Sequence, residues 1–225
     1  MKKLEIKAIG GLLNLLFCMG LMIFLPAWTF RYWQAWIFLF VFFTSSLAIT
    51  LYLMKNDPKL LERRVKGGAA AEKEKSQKVI QAFAGAAFIE MVIFPALDHR
   101  FGWSYVSPYV VFAGDFLVAM GFFIVFLVFK ENSYTSGIIE VAAEQQVIST
   151  GPYALVRHPM YAGVLILLTG IPVALGSWWG LLTIIPMTVV LVCRLVSEER
   201  FLEKNLRGYS EYRGRVSYRL APFIW

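Results

Sequence analysis

Four apolar runs, Ile9 to Trp28, Trp33 to Met54, Val79 to Leu97 and Pro108 to Phe129, hold no basic residue and only two acidic ones, Glu90 and Asp115. A hydrocarbon core of about 30 Å is crossed by roughly 20 residues of helix, so each run is long enough to span it. Lipid offers no partner to backbone N–H and C=O groups, and helices satisfy their own. Two shorter runs, Met160 to Leu175 and Gly180 to Val196, are joined by Gly176-Ser177-Trp178-Trp179 and predict a tight helical hairpin. Trp28, Trp33, Tyr52, Trp103 and Tyr109 stand near the ends of runs, where amphipathic rings favour the interface. At 58% hydrophobic and 16% charged residues over 225 positions, a soluble domain is excluded. The expectation is an all-α polytopic integral membrane protein with about six transmembrane helices. Lys2, Lys3 and Lys7 resemble the start of a signal peptide. The apolar run after them is too long for one and has no small-residue cleavage pattern, so it reads as a retained helix.

The net charge of +7 does not call for nucleic acid. With six crossings and a cytoplasmic N-terminus, every lysine and arginine except Arg31 and Arg100 falls on the cytoplasmic side, as the positive-inside rule requires. Both termini are then cytoplasmic, whereas five crossings would put the basic C-terminal tail outside. Cys18 and Cys193 lie inside apolar runs, and with only two histidines neither a disulfide framework nor a metal site is expected. The chain reads as one integrated membrane domain: residues 1–130 give the N-terminal helices with a cytoplasmic loop at 55–78, and residues 131–225 give a cofactor-binding and catalytic region. In that loop Leu60, Leu61 and Val65 have helical spacing, which predicts an interfacial helix on anionic lipid, with a lid over a site as the sharper alternative. Gly67-Gly68 and Ala69 to Ala71 then read as a flexible break. Glu90 and Asp115 are expected to face protein, at similar depth, sharing a proton or pairing with Arg100 in a structural role.

Chemistry concentrates in Gly151 to Gly163, where a polar and aromatic cluster containing Tyr153, Arg157 and His158 runs into an apolar helix. Pro159 suits the first helical position, since its missing N–H would have no intrahelical partner there. The helix N-terminus and Arg157 together favour a carboxylate or phosphate. Tyr161 lies one turn from His158, and Gly163 with Ala162 leaves room for a flat ring against the backbone. Gly170 continues that stripe, which taken alone reads as close helix packing. At the end of the last apolar run, Arg194, Glu198 and Leu202 recur at helical spacing, with Glu199 turned about 100° away. Taken alone these are ordinary i,i+4 pairs. The hairpin returns both clusters to one membrane face, where basic and acidic walls form one pocket. Such a pocket suits S-adenosylmethionine: its carboxylate toward Arg157, its ammonium toward a glutamate, its sulfonium toward Tyr161, Tyr209 or Tyr212, and its adenine toward the small residues.

Arg157-His158-Pro159-Met160-Tyr161-Ala162-Gly163, followed by Glu198-Glu199 with Leu202 and by Tyr209, Tyr212 and Pro222, resembles the isoprenylcysteine carboxyl methyltransferase and phospholipid methyltransferase superfamily. Asp57-Pro58, Asp98-His99-Arg100 and Trp103-Ser104 look like its prokaryotic branch, implying a prokaryotic inner membrane. The resemblance implies S-adenosylmethionine held by the Arg-His-Pro-x-Tyr and Glu-Glu segments beneath a C-terminal tail, with Arg194 and Glu199 beside the transferring methyl. A gap near Asn132 is expected to admit a lipophilic or lipid-anchored substrate sideways from the membrane. Two rivals remain. Membrane sterol reductases look similar in their C-terminal halves and use a nicotinamide cofactor, and a non-catalytic protein could bind lipid or a partner through its basic loops.

Overall fold

The computed structural model describes residues 2–67, 71–72, 74–142 and 145–225. Eight α-helices follow along the chain among the described residues: α1 (Lys2–Ala27), α2 (Trp33–Asn56), α3 (Pro58–Lys66), α4 (Lys75–Phe101), α5 (Pro108–Glu131), α6 (Pro159–Ala174), α7 (Ile184–Asn205) and α8 (Tyr209–Arg215). Short 3-10 turns at Gly151–Ala154 and Trp179–Thr183 lead into α6 and α7. No strand occurs among these residues, and the protein is an all-helical integral membrane protein. α1, α2, α4, α5 and α7 with its leading turn are long and apolar enough to cross a membrane. The apolar α6 has 16 residues, about 24 Å at 1.5 Å per residue. The six apolar runs therefore correspond to five helices long enough to cross a membrane and one shorter apolar helix. Phe17, Phe40, Phe116, Phe123, Ile185 and Val189 are exposed on the outer faces of these helices, where lipid covers them.

Glycines weld α5 to α6, the most extensive helix pairing in the molecule. A Cβ added at Gly121 would stand 2.5 Å from the Gly163 carbonyl, and one at Gly170 would stand 2.7 Å from the Gly114 carbonyl. Side chains are excluded there, so the backbones touch, as small residues permit in membrane helices. Gly163 and Gly170 thus face α5, and the room expected for a flat ring at Gly163 is filled by Ile124 and Gly121. The hairpin joins α6 to α7, yet α6 packs chiefly on α5 rather than on α7.

A knot of polar groups fastens the end of the bundle opposite the start of α6. Asp98, 1% exposed, accepts from the Ser104 backbone N–H at 2.7 Å and from the hydroxyls of Ser104 and Ser177. The Tyr32 hydroxyl donates to the Leu175 carbonyl at 2.5 Å while its ring stacks on His99. These bonds tie α2, α4 and the α6–α7 turn together.

α3 begins where Asp57 accepts from the Leu60 N–H at 3.0 Å and Pro58 takes the first helical position. Leu60 and Leu61 pack with Ala8, Leu53, Val125, Val128 and Phe129, so these two side chains close on protein, while Val65 is exposed. Of the break expected after α3, Gly68, Ala69 and Ala70 lie outside the described residues. The expectation for the two intramembrane acids divides. Asp115 is 5% exposed and neither carboxyl oxygen has a partner among the described residues. Glu90 is exposed, because Ala87, Met91 and Val92 turn the other face of α4 to the core. A proton shared between Glu90 and Asp115 is thus not formed, and Arg100 lies instead over the rings of Trp28 and Phe101.

Candidate functional site

The start of α6 and the last turns of α7 meet through Glu199. Its carboxylate is buried, accepting from Arg157 Nε at 2.7 Å on one oxygen and from Arg219 Nε at 2.8 Å on the other. His158 Nε2 stands 3.3 Å from the first oxygen, near enough for attraction but outside hydrogen-bond geometry. One carboxylate thus faces three basic groups from two distant segments, a burial that is tolerable only because it is matched.

Arg157 has further partners. Its Nη1 donates to the carbonyls of Val216 and Ser217, each at 2.8 Å. The backbone N–H groups of Arg157 and His158 donate to Tyr218 and Arg219 carbonyls, each at 2.9 Å. The segment 216–219 is thereby strapped across the start of α6. This arrangement follows from Pro159, which opens α6 and leaves His158 and Arg157 in non-helical backbone with their N–H groups directed outward.

A second chain of bonds runs through the aromatic residues. Tyr212 donates to the Tyr153 carbonyl at 2.8 Å, and Asn132 Nδ2 donates to the Tyr153 hydroxyl at 3.0 Å. Asn132 Oδ1 accepts from the Tyr134 N–H at 2.9 Å, fixing the turn where α5 ends. Burial pushes the Tyr153 hydroxyl well above its ordinary value and the Tyr212 hydroxyl up to about 12, so both stay protonated at neutral pH.

On α7 the two adjacent glutamates diverge, as 100° per residue dictates. Glu199 turns to the strap, while Glu198 accepts from the Tyr161 hydroxyl at 2.6 Å. Arg194, one turn before Glu198, donates to Glu72 at 2.8 Å and to the Gly137 carbonyl at 3.1 Å.

Between these groups lies a cavity of about 270 Å³. Of the residues singled out from sequence, Asn132, Tyr153, Arg157, His158, Pro159, Tyr161, Arg194, Glu198 and Tyr212 line it, and Tyr209 does too. Gly163 and Glu199 are not in its lining; the first sits in the α5 seam and the second behind Arg157. Arg64, Glu140, the segment 134–139 and the stretch 145–148 also line it without having been anticipated as part of a site. Arg63 and Arg64 of α3 donate to the carbonyls of Ser133 and Ser136, at 2.7 and 3.1 Å. The helix expected to rest on lipid therefore holds the segment that walls the cavity. A sequence signal existed for Arg64, which follows the Leu60-Leu61 pair on an amphipathic helix. None existed for Glu72, one of four acids in a mixed-charge loop.

Comparison with known proteins bears on this region. The phospholipid methyltransferase family profile matches residues 109–208, spanning α5 to the end of α7. A probable protein-S-isoprenylcysteine O-methyltransferase of Oryza sativa subsp. indica is 33% identical over 141 residues, which cover 60% of this chain and 69% of the rice protein. The corresponding protein of Oryza sativa subsp. japonica matches to the same extent. A Delta(14)-sterol reductase of Mus musculus is 33% identical over 90 residues, 39% of this chain but only 22% of the mouse protein.

Proposed function

The chain belongs to the isoprenylcysteine carboxyl methyltransferase and phospholipid methyltransferase superfamily, and from that premise we propose that it transfers a methyl group from S-adenosylmethionine to a lipophilic acceptor. The observation that carries this reading is the mixed charge of one small cavity, with Glu198 and Arg194 a helical turn apart and aromatic rings around them. A zwitterionic, cationic donor needs such a lining, and a polyphosphate does not.

When bound, S-adenosylmethionine supplies a methyl carbon already activated by a sulfonium. Glu198, steadied by Tyr161, offers charge to an ammonium. The first-turn N–H groups of α6, beside Arg157, suit a carboxylate. The rings of Tyr153, Tyr161 and Tyr209 offer π faces to a sulfonium. Methyl transfer is an in-line displacement, so alignment and exclusion of water are the main demands on the protein. The 134–139 segment, which walls the cavity, supplies the exclusion. Arg194, a cation in the lining, suits an anionic acceptor. Glu199, which would have to take the proton of an amine or thiol acceptor, is enclosed by Arg157, His158 and Arg219. With that group committed, the acceptor best served is a carboxylate, ionised at pH 7 without help. The rice relatives are named for action on an isoprenylcysteine, and an acceptor of that kind, entering from the membrane side, fits this reading.

The test is calorimetry on protein in nanodiscs. S-adenosylmethionine should bind and NADPH should not. Absence of methyl-donor binding by folded protein would overturn the reading, and preference for NADPH would move the chain toward the reductase type that the mouse relative's name indicates.

A further inference from the structure

Glu72 lies outside the region matched by the family profile, in the connection between α3 and α4. It is nonetheless 3% exposed, and its carboxylate meets a residue of the cavity. Oε1 accepts from Arg194 Nη2 at 2.8 Å and from Gln81 Nε2 at 2.7 Å. Arg194 Nη2 and Gln81 Nε2 also share the Gly137 carbonyl, each at 3.1 Å. The guanidinium is thus held by Glu72 and the Gly137 carbonyl, with its Nη1 reaching Gln77 of α4 at 3.4 Å.

Arg194 has a competing partner. Glu198 is one turn further along α7, the spacing at which an arginine and a glutamate meet, and both residues line the cavity. Glu198 instead keeps its Oε2 on the Tyr161 hydroxyl at 2.6 Å. Two carboxylates therefore stand within reach of one guanidinium, and the buried one, already fixed by Gln81, holds it.

We infer that Glu72 is a positioning residue whose task is to keep Arg194 off Glu198, so that the negative charge of Glu198 remains open for the ammonium of the methyl donor. The inference rests on the proposed methyl-donor reading for what Glu198 binds. Without Glu72 the guanidinium turns to Glu198, neutralises it and displaces it from Tyr161.

The experiment compares S-adenosylmethionine binding by calorimetry in nanodiscs for the parent protein, Glu72→Ala, Glu72→Gln, Glu72→Asp, Arg194→Gln and the Glu72→Ala/Arg194→Gln double variant. Glu72→Ala and Glu72→Gln should weaken binding tenfold or more, and Glu72→Asp should recover part of the loss. The double variant should bind more tightly than Glu72→Ala alone and match Arg194→Gln, because no guanidinium is left to occupy Glu198. A loss that came only from loosened packing would not be relieved by a second truncation. Parent-like binding by Glu72→Ala, or a double variant as weak as Glu72→Ala, overturns the inference. If the parent itself binds no methyl donor, the methyl-donor reading fails separately. The exchange is then read from a structure of Glu72→Gln: Arg194 bonded to Glu198 supports it, and Arg194 still on Gly137 overturns it.

Discussion

Adjacent glutamates on α7 have different surroundings, and that difference separates binding from folding. Glu199 holds Arg157 and Arg219 in a buried site, with side-chain exposures of 5% for Arg157 and 8% for Glu199. Removing one partner of a buried pair leaves the others uncompensated, at a cost of about 3–5 kcal/mol. Glu199→Gln should therefore lower the unfolding midpoint strongly and release the 216–219 strap, detectable as new cleavage by a protease added to the detergent-solubilised protein. Glu198→Gln removes a charge from the cavity lining and a charged acceptor from the Tyr161 hydroxyl. Its unfolding midpoint should stay near the parent value, while S-adenosylmethionine affinity falls about 10- to 100-fold, as for the loss of one charge-assisted hydrogen bond of about 1.5–3 kcal/mol. Equal effects of the two substitutions on both measurements would contradict this division. Sequence spacing already indicated that Glu198 and Glu199 could not share a partner, since 100° separates them. Which one faced inward was not legible, because the answer depends on where Arg157 and Arg219 arrive from 42 and 20 positions away.

At the level of helices, the α5–α6 seam makes a prediction about glycine. Gly121→Leu must force two backbones apart where a Cβ already falls 2.5 Å from a carbonyl, and overpacking of this kind costs about 1–3 kcal/mol. Gly85→Ala, on the open face of α4 where nothing lies within 4 Å of the new Cβ, should instead stabilise by about 0.5–1 kcal/mol through helix propensity. Thermal unfolding of the two variants in one detergent decides it, and a harmless Gly121→Leu would rule out the seam as drawn. The positions and ends of most helices were readable: Pro58, Pro108 and Pro159 each open a helix as the missing N–H dictates, and Gly102 ends α4 at φ 66°. The partner of α6 was not. Adjacency in the hairpin pointed to α7, whereas the small residues that decide close packing are shared with α5. The burial of Leu60 and Leu61 was hidden for a similar reason, since an amphipathic helix looks the same whether its apolar face meets lipid or protein.

For the whole molecule, the positive-inside count predicts that the end of the bundle carrying the cavity faces the cytoplasm. Single cysteines at Glu62 and Tyr105, in a background with Cys18 and Cys193 changed to serine, test this on intact cells. Tyr105, 88% exposed near the start of α5, should react with a membrane-impermeant maleimide, and the Glu62 position should react only after lysis. The opposite pattern would invert the molecule and move the cavity to the other side. The fold class and much of the site were legible because long apolar runs and the clusters around Arg157 and Arg194 are local patterns. The contribution of the first half of the chain was not, because Arg63, Arg64 and Glu72 act on segments 70 residues or more away, 122 in the case of Glu72 and Arg194. That reach limits how such proteins can be recombined. A chimera that transplanted residues 109–208 beneath the first four helices of another relative would carry the Arg157–Gly163 and Glu198-Glu199 segments intact. It would still lack the side chains that tether residues 133–139, so this recognisable half is not an interchangeable cassette.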